Sequence, residues 1–125
     1  MKTLTLNAWG KDHPITFNLD HYAENGNLYV GMICHDEGYS ESWSNLTVNL
    51  SVKCDSNCAF IDVNNNGQEI LLWLIKNSLG DLTGRMQPSG FCLFPEFKFN
   101  MPELLKYTEN NTLYEDLLME QQEQM

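Results

Sequence analysis

The sequence predicts an α+β protein with a mostly antiparallel sheet of five to six strands, one core helix (about 67–79) and a C-terminal helical segment. Three observations lead to this prediction. The first half alternates polar and apolar residues, the apolar period then becomes helical, and a short strand precedes a second helical pattern. A length of 125 residues, 42% of them hydrophobic, predicts one domain over residues 1–120 and a frayed acidic tail at 121–125.

Alternation of side chains defines the predicted strands of the first half. Asn25-Gly26 predicts a hairpin turn, because both residues tolerate a positive φ. Residues 38–44 lack apolar alternation and are predicted to form a loop. The predicted strands are residues 3–9, a strand holding Ile15, Phe17 and Leu19, and residues 27–34, 45–52 and 58–63.

The spacing of apolar residues changes after Gly67 from the alternation of a strand to the period of a helix. Residues 68–79 place five apolar side chains on one helical stripe, and Gly80 is expected to end this helix. Two glycines and a proline predict a loop at 81–90, and Pro95 places the following strand, 91–99, at an edge or a bulge. Met101-Pro102 opens the C-terminal helical segment. The stripe consists of Ile70, Leu71, Leu74, Ile75 and Leu79.

Acidic residues dominate the charge. The formal net charge is −10, and no lysine or arginine occurs between Lys11 and Lys53. Such a surface repels nucleic acid and anionic membranes and attracts basic partners. No apolar run is long enough to span a bilayer and no signal-peptide pattern opens the chain, so we expect a cytoplasmic protein. The four cysteines are then expected to be thiols.

Two patterns resemble metal sites only in part. Residues 62–67 match the opening of a calcium-binding EF-hand loop, but the twelfth position is Trp73 instead of a glutamate. The favoured interpretation is a turn in which asparagines cap the next helix. Cys54 and Cys58, with Cys34 or Cys92, offer thiols to zinc, but one pair at this spacing is a weak signal. No metal and no cofactor are therefore predicted.

A catalytic site finds equally little support. Cys34 and His35 are adjacent on a predicted strand and so point to opposite faces. A pairing of His35 with Cys92 or Cys58 stays open, as does a ligand pocket near His35, Cys92 and Arg85. The expectation is a protein without enzymatic activity.

An aromatic and acidic segment is the predicted partner-binding site, because tyrosine and tryptophan supply rigid contact area and carboxylates attract bases. The alternative is that the two aromatic rings cover one end of the core. A stripe at Leu117-Leu118-Met119 would indicate a homodimer. The predicted partner-binding residues are Asp36, Glu37, Tyr39, Glu41 and Trp43.

A family resemblance rests on several blocks that occur in the same order. Through these blocks the chain resembles short uncharacterised proteins, grouped as a domain of unknown function, that are encoded by Firmicutes and often by their conjugative elements and phages. The blocks are residues 42–50, residues 57–65, Thr83-Gly84-Arg85, Ser89-Gly90-Phe91-Cys92 and residues 95–100.

The resemblance implies no catalytic residue. It favours a non-enzymatic, acidic protein-binding module of a mobile element that binds a basic host protein. An inhibitor of a host nucleic-acid-binding or defence protein, comparable to an anti-CRISPR protein, is the form we expect. The alternatives are a protein that sequesters a small ligand or nucleotide, and a conjugation accessory factor whose acidity serves solubility.

Overall fold

The computed structural model describes residues 2–108 as two four-stranded antiparallel sheets and three short helices. Strands make up 53% and helices 16% of this part of the chain, so the predicted α+β class is wrong. The single sheet of five to six strands is in fact two sheets, here called sheet A and sheet B.

Sheet A is a meander in which each strand pairs with the next, in the order β1-β2-β3-β4, and sheet B has the order β5-β6-β8-β7. Helices α1 and α2 lie between β6 and β7 in the sequence, and α3 follows β8. The elements are β1 (Leu4–Ala8), β2 (Lys11–His21), β3 (Leu28–Asp36), β4 (Tyr39–Asn45), β5 (Thr47–Val48), β6 (Cys58–Ile61), α1 (Val63–Asn66), α2 (Glu69–Lys76), β7 (Gly80–Ser89), β8 (Cys92–Phe99) and α3 (Met101–Leu105).

Two tight hairpin turns lie at the same end of sheet A. Trp9-Gly10 joins β1 to β2 and Glu37-Gly38 joins β3 to β4, and all four residues have positive φ. Positive φ at both central residues matches the twist of the flanking strands. Because alternate connections of a meander fall on the same side, these turns define one end, here called the hairpin end of sheet A.

Both sheets contribute to one hydrophobic core. Phe17 of sheet A and Phe60 and Phe97 of sheet B are almost completely buried, and loss of such a ring costs about 3–5 kcal/mol. The chain passes from one sheet to the other at Leu46, whose N–H donates to the Val30 carbonyl and whose carbonyl accepts from the Asp62 N–H. This crossing holds the two sheets on a shared core.

The core helix predicted at about 67–79 is replaced by a shorter helix. Helix α2 buries only Ile70 and Leu74. It ends in a Schellman motif, because Ser78 takes a φ of 62° and Leu79 N–H donates to the Leu74 carbonyl. Ser78 thus takes the left-handed position that the sequence assigned to Gly80. The helix therefore ends two residues earlier than predicted, and the chain continues into β7.

Two predicted loops are strands. Residues 38–44 lie mostly in β4 and residues 81–90 mostly in β7, each at the edge of its sheet. Most side chains of β4 and β7 are exposed, so these two strands lack the alternation that reveals a half-buried strand.

The C-terminal helical segment is also wrong as predicted: within the described residues it is limited to α3. The chain then returns to sheet A, where the Tyr107 carbonyl accepts from the Phe17 N–H and Thr108 bridges to Phe17 in parallel. The rest of that segment, the 121–125 tail and the Leu117-Leu118-Met119 stripe lie outside the described residues.

Candidate functional site

The five predicted partner-binding residues meet at the hairpin end of sheet A. Asp36 pairs with Tyr39 across β3 and β4, and directly opposite residues share a face of the sheet. Glu41 and Trp43 follow Tyr39 along the same strand, and Glu37 lies in the turn. They belong to a paired β-hairpin, whereas the sequence predicted a loop.

All three tryptophans of the chain line one open groove of about 750 Å³, here called the tryptophan groove. Its lining comes from β1 and β4, which are the two edge strands of sheet A, from the β1–β2 turn and from the α1–α2 region. Glu69 adds a carboxylate to the lining. The lining residues are Leu6, Asn7, Ala8, Trp9, Trp43, Ser44, Asn65, Asn66, Gly67, Glu69, Ile70 and Trp73.

Two hydrogen bonds hold the helices against sheet A and leave the groove between them. The Trp73 indole N–H donates to the Thr5 carbonyl of β1 over 2.8 Å. The Asn66 amide donates to the Asn45 carbonyl of β4 over 2.9 Å. Since these bonds tie down both edges of sheet A, the groove is built into the fold.

Trp9 is an unusual residue for a tight hairpin turn. Its side chain is 89% exposed, and its φ of 54° is a conformation that bulky residues rarely adopt. Its ring lies 5.2 Å from the half-buried Trp43 ring, centroid to centroid. A large exposed ring on a strained backbone is typical of a functional position.

A partly buried polar cluster lies next to the Trp43 ring. The His13 ring centroid is 4.5 Å from that of Trp43. His13 Nε2 donates to the Ala8 carbonyl over 3.2 Å, and Nδ1 lies 3.9 Å from Cys34 Sγ. With a carboxylate oxygen of Asp36, one atom from each side chain lies within 4.8 Å of the others. We call His13, Cys34 and Asp36 the His–Cys–Asp cluster.

Sequence reasoning missed this cluster because it considered Cys34 only with its neighbour His35 and with the other cysteines. The signal was present: His13 precedes Ile15, Phe17 and Leu19 at alternate positions, which places it on the inner face of β2. The register that sets Ile15 opposite Cys34, and so brings His13 close, is visible only in the structure.

Local electrostatics make Cys34 a poor nucleophile. Burial raises the pKa of its thiol, and the charges of Asp36 and Glu41 raise it further. The hydrogen bond from Lys11 lowers the pKa of Asp36, so this carboxyl is ionised at neutral pH. A thiol with a raised pKa reacts slowly, because the thiolate is the nucleophile.

The other predicted sites have local partners. Asp62 caps α1, accepting from the Asn65 backbone N–H and from its side-chain amide, whereas the sequence interpretation expected asparagines to be the caps. His35 lies between the hydroxyls of Thr16 and Ser40, each 2.7 Å away.

The candidate residues in or next to sheet B, which are Arg85, Cys54 and Cys92, also lie apart from the His–Cys–Asp cluster. Arg85 forms an ion pair with the buried Glu96, 3.3 Å away. Burial, together with the neighbouring Glu96, raises the pKa of Cys54 to about 12. Arg85 of β7 and Cys92 of β8 lie in sheet B, whereas His35 of β3 lies in sheet A.

Comparison with known proteins identifies the family. The model of a domain of unknown function, DUF4313, matches residues 16–117, and the chain belongs to this family. No curated protein and no solved structure gives a significant match. Within residues 2–108, no helix is long and apolar enough to cross a membrane.

Proposed function

We propose that this DUF4313 protein is a non-enzymatic binding module that attaches to a basic surface of a partner protein. The tryptophan groove would receive arginine or lysine side chains, and the acidic hairpin end of sheet A would face the surrounding bases. The observation that carries the proposal is the convergence of all three tryptophans on one open groove.

Tryptophan is the best aromatic acceptor for a cation, and an arginine guanidinium stacks on its face. Trp9 offers a largely exposed ring, and Trp43 backs it at 5.2 Å. Rigid aromatic anchors of this kind dominate binding energy at protein interfaces. Binding a cation would therefore account for an exposed tryptophan at a backbone conformation that is unfavourable for this residue.

The charges around the groove favour the same partner. Glu69 lies in the lining, and Asp36, Glu37 and Glu41 lie beside Trp43 at the hairpin end. Opposite charge steers a basic partner to this surface and fixes its orientation. A net charge of −10 opposes direct binding to nucleic acid.

The resemblance to short proteins of Firmicutes mobile elements supports a particular class of partner. A host protein that binds nucleic acid, including a defence nuclease, presents clustered bases to phosphates. Carboxylates at the hairpin end would occupy these bases and block the site, as an anti-CRISPR-like inhibitor does. A pull-down with the tagged protein from a bacterial lysate, at low and high salt, identifies the partner that is used in the test below.

The decisive variant is Trp9→Asn. Asparagine tolerates the positive φ of this turn, so the change removes the indole and keeps the hairpin. We expect the affinity for the captured partner to fall at least tenfold, since a hot-spot ring contributes about 2 kcal/mol or more. Phe91→Asn is the matched control, because Phe91 is fully exposed in the β7–β8 turn. Equal affinity of both variants would refute the role of the groove.

A charge reversal tests the acidic surface separately. Asp36, Glu37 and Glu41 are changed to lysine together, and Glu24, Asp55 and Asp81 serve as an exposed control triple elsewhere. The first triple should abolish binding and remove its salt dependence, and the control should lower affinity only slightly. An unchanged affinity and salt slope in the first triple would contradict the electrostatic part of the proposal.

The groove volume favours a second candidate function, because ligand pockets span about 300–1,000 Å³. A small cationic ligand would use the same rings. Thermal stabilisation by arginine or a quaternary ammonium compound, lost in Trp9→Asn, would identify this function. No stabilisation at millimolar ligand would exclude it.

A further inference from the structure

We propose that the His–Cys–Asp cluster is a binding site for a zinc-type divalent cation, held by His13 Nδ1, Cys34 Sγ and an oxygen of Asp36. Nothing in this proposal depends on partner binding, so each can fail without the other. The inference starts from the convergence of three metal-ligating side chains of different chemistry, one atom of each within 4.8 Å of the others.

The spacing of the cluster is close to that of a zinc site. Zinc bonds of about 2.0 Å to nitrogen and 2.3 Å to sulfur, at tetrahedral angles, separate these two ligand atoms by roughly 3.5 Å. His13 Nδ1 and Cys34 Sγ are 3.9 Å apart, so they can approach a shared ion with small side-chain movements. Three protein ligands leave a fourth position for water or a partner's side chain.

The tautomer of His13 is suited to the role. A carbonyl oxygen only accepts, so the bond from Nε2 to the Ala8 carbonyl places a hydrogen on Nε2. Nδ1 is then the ring nitrogen that faces Cys34 Sγ. A histidine that ligates a metal usually donates its other N–H to such an acceptor, which fixes the ring.

The surroundings favour a cation. Glu41 lies directly across from Cys34 on β4, and Glu37 follows Asp36 in the turn. The Trp43 ring covers His13, and His13 and Cys34 are themselves buried. Lys11, which now holds Asp36 at 2.9 Å, is the group that an ion would displace. A bound ion would thus take the place of the exposed Lys11 ammonium as the positive charge beside Asp36, and three ligands would surround it.

The test uses the full chain after treatment with a chelator, titrated with Co²⁺ as a spectroscopic substitute for Zn²⁺. We expect one equivalent to bind with thiolate-to-cobalt charge-transfer absorption, and added Zn²⁺ to remove this signal. Cys34→Ser should abolish the charge-transfer absorption, and His13→Gln should weaken affinity at least about tenfold. The controls Cys92→Ser and His35→Gln should leave both unchanged.

Asp36→Asn keeps the proposal testable if the buried variants fail to fold, because Asp36 lies beside the exposed turn. Loss of this ligand should weaken Co²⁺ binding at least about tenfold while the far-ultraviolet circular dichroism stays that of the wild type. Unchanged affinity in Asp36→Asn, absence of charge-transfer absorption in the wild type, or its loss in Cys92→Ser would each overturn the site.

Discussion

The carboxylates of Glu96 in sheet B and Asp36 in sheet A each have a basic partner, but their surroundings differ. Glu96 is 5% exposed and accepts from the Thr83 hydroxyl at 2.8 Å and from Arg85 at 3.3 Å. The Arg85 guanidinium also lies over the Phe60 ring, 5.5 Å from its centroid. Glu96, Thr83 and Arg85 therefore all have interaction partners within the folded chain.

Asp36 is more open to solvent, since its side chain is 33% exposed and that of Lys11 is 58% exposed. Exposed ion pairs contribute little to stability and exchange readily with other ions. The comparison teaches that similar side chains serve different ends: the sheet B group stabilises the fold, and the hairpin end of sheet A stays available to an ion or a partner. Three measurements can break or sharpen this contrast.

The largest effect is expected for Arg85→Met, which leaves Glu96 buried without its cation. Breaking a buried pair costs about 3–5 kcal/mol, and the 41% exposure of the Arg85 side chain reduces this to about 2 kcal/mol in the free energy of unfolding. Urea denaturation measures the change. Lys98→Met, at an exposed base of β8, is the control and should change stability by less than about 0.5 kcal/mol. Equal losses of stability in the two variants would contradict a structural role of the Arg85–Glu96 pair.

A second effect, confined to alkaline pH, is expected from Cys54. Its pKa of about 12 lies above the value of about 8.5 for an unfolded chain. Between these values the unfolded state has released a proton that the folded state retains, so the free energy of unfolding falls as pH rises. Cys54→Ala should make this decline shallower, as measured by urea denaturation from pH 7 to 11.

The control for this prediction is the same pair of proteins at pH 7 and 8, where the difference between them should be constant. A decline with the same slope in the wild type and in Cys54→Ala would show that the thiol is not held protonated by sheet B.

The smallest effect on stability is expected for Lys11→Met, the counterpart of Arg85→Met in sheet A. It should leave the urea midpoint unchanged and return the pKa of Asp36 toward its ordinary value. Freed from its lysine, Asp36 should bind Zn²⁺ more tightly, which competition against Co²⁺ measures. A large loss of stability, or weaker metal binding, would remove the contrast between the two sheets.

Sequence patterns report burial, and this determines how much of the fold they predicted. Ile15, Phe17 and Leu19 alternate because one face of β2 is buried, and the structure has a strand there. Strands β4 and β7 have too few buried positions to alternate, so both were mistaken for loops. A single sheet was then inferred where the crossing at Leu46 divides the strands between two.

The candidate site was predictable only in its local part. Asp36, Glu37, Tyr39, Glu41 and Trp43 are close in sequence, and the structure keeps them together. The tryptophan groove and the His–Cys–Asp cluster join residues of separate elements, and their contacts depend on strand register and on the position of α2. A single sequence does not specify these long-range relations.

The convergence of all three tryptophans on one groove gives the protein an intrinsic optical reporter. Trp9, Trp43 and Trp73 account for every indole in the chain, so its tryptophan fluorescence originates entirely at this surface. The β7–β8 hairpin, with its exposed Phe91, adds none. Any molecule that enters the groove should therefore change the emission of the unlabelled protein, and its spectrum measures occupancy directly.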